Sequence, residues 1–269
     1  MKRLKNKFTQ LKKIHQSAFV AYICAGDPDY HTSLNILEKL PSCGVDIIEI
    51  GMPFLDPSGD GPIIENASKT AITNGMNLNK VFQMASQFRL KDHETPLVLM
   101  SYFNPILKFG LDKVFFEAEK SGFDAVLIVD LPLEEEHEII KNIKLANLDF
   151  IRLIAPSTDE NRLKKILKNA SGFIYLISMF GITGTKSAIA KDNIENIAKI
   201  RKNSQLPLVI GFGIQQPAQA QEFSALDIDG VVIGSSIVKE IFEIKQSQSS
   251  IDNILEVVKN FSRKIKSKL

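Results

Sequence analysis

Short apolar segments rich in β-branched residues recur along the whole chain, and each is followed by turn residues and a stretch with helical periodicity. Eight of them are predicted to be strands: Phe19–Cys24, Asp46–Gly51, Leu97–Tyr102, Asp124–Val129, Asp149–Ile154, Phe173–Ser178, Pro207–Phe212 and Gly230–Gly234. Most begin roughly 23 to 34 residues apart, which is about one βα unit. Strands that are apolar throughout are typical of a parallel sheet covered by helices on both faces.

The alternation predicts an α/β fold, a single (β/α)8 TIM barrel over residues 1–269, in preference to a doubly wound sheet. The second βα connection is the longest. It contains an acidic loop at residues 52–62, rich in proline and glycine, and then two predicted helices near residues 63–73 and 78–90. Helix N-caps are predicted at Leu111-Asp112 and at Ser157-Thr158-Asp159.

Residues 1–16 predict an additional N-terminal helix that is basic and amphipathic. Its apolar face is formed by Leu4, Phe8, Leu11 and Ile14. We expect this face to plug one end of the barrel while the lysines stay in water. A helix lying on a membrane surface is the alternative interpretation.

Composition excludes several classes of protein. The chain has 33 Lys and Arg against 31 Asp and Glu, a net charge of +2, so no global charge draws it to nucleic acid or a membrane. No apolar run reaches the ~18 residues of a transmembrane helix. Cys24 and Cys43 lack the spacing of a zinc site, so we expect two buried, reduced thiols. The basic start has no apolar signal-peptide core, and the expected location is the cytoplasm.

Candidate chemistry lies where a barrel of this kind holds its active site, at the carboxyl ends of the strands. Glu49 lies near the end of the second predicted strand among apolar neighbours, and burial should raise its pKa into the range of a proton shuttle. A buried glutamate satisfied by a hydrogen-bond partner fits the same pattern. Asp56 and Asp60 follow in the acidic loop, where aspartates also serve as ordinary turn formers.

Glycine turns follow the last two predicted strands, at Gly211-Phe212-Gly213 and Gly234-Ser235-Ser236. Glycines let backbone N–H groups approach a ligand, and a short helix beginning at Ser235 would point its N-terminus inward. This geometry predicts a phosphate site that needs no lysine or arginine.

Two mechanisms of carbon–carbon bond cleavage lack the protein groups that they require. No lysine lies within the predicted strands, so a Schiff-base aldolase has no obvious nucleophile. The four histidines are scattered, and no metal site is predicted. Any carbon–carbon cleavage would therefore rest on acid–base catalysis, with the substrate itself as the electron sink.

Six segments resemble the tryptophan synthase alpha chain family and occur in the family's order: Ala25–Asp29, Asp46–Phe54, Asp60–Pro62, Gly172–Tyr175, Gly181–Gly184 and Gly211–Ile214. The resemblance runs through most of the chain, and the second strand with its acidic loop is the most specific part. It implies a TIM barrel that cleaves indole-3-glycerol phosphate to indole and glyceraldehyde 3-phosphate by a retro-aldol reaction.

The resemblance also implies roles for individual residues. Glu49 would be the acid–base residue, Asp60 would bind the indole N–H, and Tyr175 would support Glu49. The phosphate would be held by Gly184, Gly213, Gly234 and Ser235, and the indole slot would be lined by Tyr22, Met100, Leu127 and Phe212. Residues 179–190 would form a lid whose Thr183 reaches toward Asp60.

The resemblance also implies a partner, a beta chain that carries pyridoxal phosphate and receives indole in an α2β2 heterotetramer. This chain would need no cofactor of its own. Its contacts with the beta chain would include Pro53, Phe54, Asp56, Asn104 and Pro105. Met179-Phe180 replace the Arg-Ala usual in the family's lid. Two alternatives are another phosphate-binding barrel of the same pathway, and a protein that docks on the beta chain and activates it without catalysis.

Overall fold

The computed structural model describes residues 3–178, 191–211, 213–246 and 250–267. Eight parallel strands close into one barrel in chain order, which confirms the predicted TIM barrel. The strands are β1 (Ala18–Cys24), β2 (Ile47–Gly51), β3 (Leu97–Ser101), β4 (Ala125–Ile128), β5 (Asp149–Ile154), β6 (Ile174–Ile177), β7 (Leu208–Gly211) and β8 (Gly230–Ile233). Their ends differ from the sequence prediction by at most one residue.

Helices connect the strands and form the outer layer. In the described ranges they are α1 (Arg3–Lys13), α2 (Tyr30–Lys39), α3 (Pro62–Thr73), α4 (Leu78–Arg89), α5 (Phe103–Phe109), α6 (Leu111–Lys120), α7 (Ile140–Leu145), α8 (Glu160–Leu167), α9 (Lys191–Asn203), α10 (Pro217–Ser224), α11 (Ser235–Lys245) and α12 (Ile251–Lys266), with 3-10 turns at Pro41–Cys43 and Leu133–Glu138. The second βα connection contains both α3 and α4, as the periodicity predicts.

The two predicted N-caps have different outcomes. Asp159 caps α8, because its Oδ1 accepts hydrogen bonds from the backbone N–H groups of Asn161 (2.8 Å) and Arg162 (2.9 Å). The cap predicted at Leu111-Asp112 is wrong. Gly110, at φ 109°, turns the end of α5 directly into α6, which begins at Leu111 without a side-chain cap.

Helix α1 lies against the amino-terminal end of the barrel. Leu4, Phe8 and Leu11 are buried, and the Phe8 ring packs edge-on against Phe173, just before β6, with the ring centroids 5.9 Å apart. Ile14 does not join this face. The helix ends at Lys13, and Ile14 is 55% exposed.

Three aspartates form hydrogen bonds at the amino-terminal end of the barrel. Each lies immediately before an even-numbered strand. Each accepts the backbone N–H of a residue at the start of the preceding strand, so a donor at the open edge of the barrel is satisfied. These bonds are Phe19 N to Asp46 (2.9 Å), Leu97 N to Asp124 (2.9 Å) and Leu208 N to Asp229 (2.8 Å).

Each of these aspartates also has a cationic partner. Asp46 pairs with Lys266 (3.1 Å), Asp124 with Arg3 (2.8 Å) and Arg89 (3.0 Å), and Asp229 with Arg201 (2.7 Å). Because Arg3 belongs to α1 and Lys266 to α12, these ion pairs also attach the terminal helices to the sheet.

Both cysteines are buried free thiols, as predicted. Among the residues that the structure describes, no helix combines the length and the apolar character that crossing a membrane requires.

Candidate active site

A cavity of about 430 Å³ lies at the carboxyl end of the barrel. It is lined by Tyr22, Glu49, Asp60, Ile64, Met100, Tyr175, Gly213, Ile214, Val232, Gly234 and Ser235. The fold thus brings eight of the residues singled out from the sequence to one cavity, although they come from distant parts of the chain.

Glu49 is the buried acid of this cavity. It lies in β2 in register with Tyr22 of β1 and Val98 of β3, and only 1% of its surface is exposed. Within the described part of the chain its Oε1 has no hydrogen-bond partner. Burial disfavours the carboxylate and raises the pKa of Glu49 to about 8. The carboxyl is therefore largely protonated near neutral pH.

Asp60 is a second, more accessible acid, placed at the end of the acidic loop just before α3. Gly61 and Pro62 begin that helix and fix where the loop ends. Partial burial raises the pKa of Asp60, while a hydrogen bond from the Tyr102 hydroxyl opposes this rise. The two acids thus have different surroundings, as a pair with different roles requires.

Two tyrosines enclose Glu49, and each needs a glycine beside it. A Cβ atom on Gly51 would lie 2.6 Å from the Tyr22 ring, and one on Gly211 would lie 2.8 Å from Cζ of Tyr175. Burial and the nearby acids, Glu49 and Asp60 among them, raise the pKa of both phenols well above the usual value. Both therefore remain neutral hydroxyl groups at physiological pH.

The opposite side of the cavity suits an anion. Helix α11 begins at Ser235 immediately after β8, and Gly234 precedes it without a side-chain cap, so the first N–H groups of the helix are left for a ligand. Gly213 has a φ of 73°, a left-handed conformation that favours glycine. The hydroxyl of Ser236 donates to the carbonyls of Ile214 (3.2 Å) and Gln215 (3.1 Å), joining the two turns.

The remaining predicted site residues lie elsewhere or outside the described ranges. Leu127 is fully buried in β4, in register with Met100, but is not among the residues that line the cavity. Thr183, Gly184 and Phe212, together with the predicted lid at residues 179–190, lie outside the described residues.

Sequence reasoning missed four residues of this region. Ile64, Ile214 and Val232 line the cavity, and Tyr102 binds Asp60. The apolar three carry no sequence signal that separates them from core residues. Tyr102 did carry one, because it is a phenol at the carboxyl end of a predicted strand, where the site was expected.

Comparison with known proteins identifies the family. A sequence model described as the tryptophan synthase alpha chain matches residues 8–266. The chain belongs to the tryptophan synthase alpha chain family.

Solved structures agree with this assignment. Tryptophan synthase subunit alpha from Legionella pneumophila is 30% identical, with a TM-score of 0.91 over 98% of either chain. A protein of Aquifex aeolicus VF5 is 33% identical, with a TM-score of 0.90 over 99% of this chain and 100% of the other. Tryptophan synthase from Mycobacterium tuberculosis, in an aminoacrylate-bound form, contains a chain that is 25% identical, with a TM-score of 0.88 over 99% of this chain and 100% of that one.

As a member of the family, the chain is a carbon–carbon lyase that cleaves indole-3-glycerol phosphate. The family match sets aside the other phosphate-binding barrels considered from the sequence.

An apolar groove of about 1020 Å³ lies outside the cavity, between the acidic loop, α3, α4 and α5. Four of the five predicted partner contacts line it: Pro53, Phe54, Asn104 and Pro105. The fifth, Asp56, is not in the lining and is exposed in the same loop. Leu55, 60% exposed, and Leu107, 50% exposed, add apolar surface nearby.

Among the described residues, Glu135, His137 and Glu138 bring three potential metal-ligand atoms within 4.8 Å of one another. All three side chains are exposed, and none of them lines the cavity. The absence of a metal from the reaction stays a prediction from the sequence.

Proposed function

We propose that this chain cleaves indole-3-glycerol phosphate with Glu49 as the acid–base residue, Asp60 as the partner of the indole N–H, and the start of α11 as the phosphate site. The observation that carries this assignment is the buried Glu49 carboxyl, whose Oε1 has no partner among the described residues and whose pKa is raised by burial, in a cavity it shares with a second acid. Such a carboxyl has a proton to give at neutral pH.

The reaction balances with this one group. Glu49 gives its proton to C3 of the indole ring, and positive charge develops at the ring nitrogen. The resulting carboxylate takes the proton of the glycerol hydroxyl next to the ring, and the bond between that carbon and C3 breaks. Its electron pair returns to the ring, which regains aromaticity as indole, while the hydroxyl carbon becomes the aldehyde of glyceraldehyde 3-phosphate. Glu49 ends protonated again.

Asp60 would act on charge that develops during this sequence. An ionised carboxylate hydrogen-bonded to the indole N–H stabilises the cationic ring more than the neutral substrate, and such differential stabilisation accelerates the chemical step. Tyr175, whose phenol interacts electrostatically with Glu49, would keep that carboxyl in place. Tyr22 and Met100, with Ile64 and Val232, would enclose the apolar ring.

The phosphate would be bound by geometry rather than by a cation. None of the described residues that line the cavity is basic. The N–H groups at the start of α11, which no side chain of the described residues caps, supply donors with partial positive charge together with Gly213 and Gly234. Leu127, Thr183, Gly184 and Phe212 remain part of the proposed site from the resemblance alone.

We further propose that the groove beside the acidic loop docks the beta chain in an α2β2 complex, with pyridoxal phosphate held by that partner. Its lining is mostly apolar, and the exposed side chains of Leu55 and Leu107 extend this surface, as is common where a protein partner binds. Pro53, Phe54, Asp56, Asn104 and Pro105 would form its contacts. The cytoplasmic location predicted from the sequence belongs to the same proposal.

The test is indole release from indole-3-glycerol phosphate, measured with the purified chain and again with a beta chain added. Replacing Glu49 by Gln keeps the shape but removes the proton, so we expect turnover to fall by about 10³-fold. Binding of glyceraldehyde 3-phosphate, measured by calorimetry, should be nearly unchanged because the phosphate site is separate.

Glu117→Gln is the matched control. It removes an exposed carboxyl from α6, outside the cavity lining, and should leave turnover within a few-fold of wild type. Near-wild-type turnover of Glu49→Gln would contradict the assignment. If the wild-type chain released no indole but still accelerated a beta chain, it would be an activator rather than an enzyme.

A further inference from the structure

Tyr102 lies between the end of a strand and the start of a helix, where its backbone is fixed on both sides. The carbonyl of Ser101, the last residue of β3, accepts the N–H of Val129 at 3.0 Å, and α5 begins at Phe103. Asp130 accepts the N–H of Phe103 at 2.7 Å. The side chain is 3% exposed. Tyr102 is therefore a rigid support beside the acidic loop.

The hydroxyl of Tyr102 makes two hydrogen bonds to that loop. It accepts the backbone N–H of Gly59 at 3.1 Å and donates to the carboxylate of Asp60. A phenol has one proton to donate, and the bond from Gly59 directs that proton to the carboxylate. The two residues held in this way are consecutive, so one hydroxyl fixes both the backbone and the side chain at this point.

Packing restrains the same contact from other directions. The ring of Phe54 stacks on Tyr102 with centroids 5.2 Å apart and an interplanar angle of 28°. A Cβ atom on Gly59 would lie 3.1 Å from Val129 Cγ1 and 3.4 Å from the Tyr102 hydroxyl. Tyr102, Val129 and Asp60 also share the wall of a recess of about 190 Å³ next to the cavity.

We propose that Tyr102 is a positioning residue for the lyase reaction, whose hydroxyl holds the Asp60 carboxylate ionised and directed at the indole N–H. The inference rests on the proposed role of Asp60. Without the hydroxyl, the Gly59 N–H loses its acceptor, and Asp60 loses the side-chain hydrogen bond that favours its ionised form.

The charged and titratable groups around Asp60 determine the direction in which its pKa should change when the Tyr102 hydroxyl is removed. Tyr22 and Cys24 from β1, Tyr175 from β6 and Tyr102 all interact with it, and Glu65 from α3 raises its pKa. The bond from Tyr102 is the one interaction in this set that lowers the pKa of Asp60. Its removal should therefore raise that pKa, and activity that needs the carboxylate should be lost at a higher pH.

The experiment compares the wild-type chain with Tyr102→Phe, which keeps the ring on Phe54 and removes only the hydroxyl. We expect kcat to fall by about tenfold with KM within about twofold, because a hydrogen bond to a charged group is lost in the transition state. The acidic limb of the pH–rate profile should move upward by about half a pH unit or more. In an Asp60→Asn background the same substitution should change kcat by less than about twofold.

Tyr30→Phe is the matched control, because it removes an exposed phenol–Gln87 hydrogen bond of 3.0 Å outside the site. It should leave the rate and the profile unchanged. A fall in kcat for Tyr102→Phe without movement of the acidic limb, or an equal fall in the Asp60→Asn background, would overturn the proposal in favour of a purely structural role.

A second readout needs no turnover. The pKa of Asp60 can be followed by NMR titration of carboxyl-labelled aspartate, with the signal assigned by its absence in Asp60→Asn. A higher pKa in Tyr102→Phe supports the contact even if the wild-type chain proves inactive, in which case the proposed function alone fails. An unchanged pKa in an active chain overturns this inference and leaves the proposed function standing.

Discussion

Buried acids at the two ends of the barrel are treated in opposite ways. At the amino-terminal end, Asp124 accepts from Arg3, Arg89 and the backbone N–H of Leu97, so its charge is fully compensated. At the carboxyl end, Glu49 is at least as deeply buried, yet its Oε1 has no partner among the described residues. One acid is satisfied by the fold, and the other is left for a substrate.

The difference shows how a barrel separates stability from chemistry. Aspartates that precede a strand fall at the amino-terminal end, where neighbouring strand N–H groups and the terminal helices can reach them. Acids near the end of a strand or after it fall at the carboxyl end, where the strand ends and the loops that follow them form the cavity. The position of an acidic residue relative to its strand thus determines whether it stabilises the barrel or remains reactive.

The largest effect on stability should come from breaking the compensated end. Asp124→Asn leaves Arg3 and Arg89 without their counter-charge, and we expect the free energy of unfolding to fall by about 3 kcal/mol. Turnover per folded molecule should not change. Urea denaturation and an indole-release assay below the transition measure the two quantities separately.

Asp227→Asn is the control for that comparison. Asp227 also pairs with an arginine, Arg201 at 3.4 Å, but its side chain is 78% exposed, so the loss should stay below about 1 kcal/mol. Equal losses in the two variants would show that the buried network adds nothing. A fall in turnover for Asp124→Asn would show that the two ends are coupled.

An effect of similar size that depends on pH is expected from the reactive end. The pKa of Glu49 is raised from 4.5 to about 8 in the folded chain, so between these values the folded state holds a proton that the unfolded state has lost. The free energy of unfolding contributed by this group therefore falls as pH rises through that window. Glu49→Gln has no such proton to lose.

The free energy of unfolding of Glu49→Gln, relative to that of the wild type, should therefore increase between pH 5 and pH 8 by on the order of a few kcal/mol. Urea midpoints of both chains at several pH values test this, with the exposed Glu117→Gln as the reference whose difference from wild type stays constant. Parallel curves for Glu49→Gln and wild type would mean that Glu49 is compensated after all.

The smallest effect concerns the space around the reactive acid. Gly51→Ala places a methyl group against the Tyr22 ring, and we expect a loss of about 1 to 2 kcal/mol of stability together with a raised KM. Gly61→Ala is matched to it, because a Cβ there meets nothing within 4 Å, and should change stability by no more than about 0.5 kcal/mol. If Gly51→Ala and Gly61→Ala were equally stable, the Tyr22 ring would be able to move aside without loss of stability.

The sequence predicted the barrel because its main signal is local. An apolar, β-branched run such as Leu208–Gly211 specifies a buried strand without reference to distant residues, and all eight such runs are strands in the structure. Glu49 was predicted from its place in one of them. The prediction that Ile14 belongs to the apolar face of α1 was wrong, because the apolar periodicity of the sequence continues past Lys13, where the helix ends.

Contacts between distant segments could not be predicted in this way. Tyr102 and Gly59 are 43 residues apart, and Lys266 meets Asp46 across 220 residues, so neither pairing leaves a pattern in a single sequence. For the same reason Asp46 and Asp124 were placed within strands, whereas in the structure their side chains accept hydrogen bonds just before the strands begin. Leu127 was assigned to the indole slot by resemblance; it pairs with Met100 in the sheet but is not among the described residues that line the cavity.

Gly51 and Gly211 carry a consequence for how this sequence can change over time. Each shares one volume with an aromatic ring, Tyr22 or Tyr175, so the fitness effect of a substitution at one position depends on the residue at the other. A larger residue at either glycine is accommodated more easily once a smaller side chain faces it. These positions should therefore change more readily in pairs, and libraries that vary one site at a time will overestimate the cost of changing either.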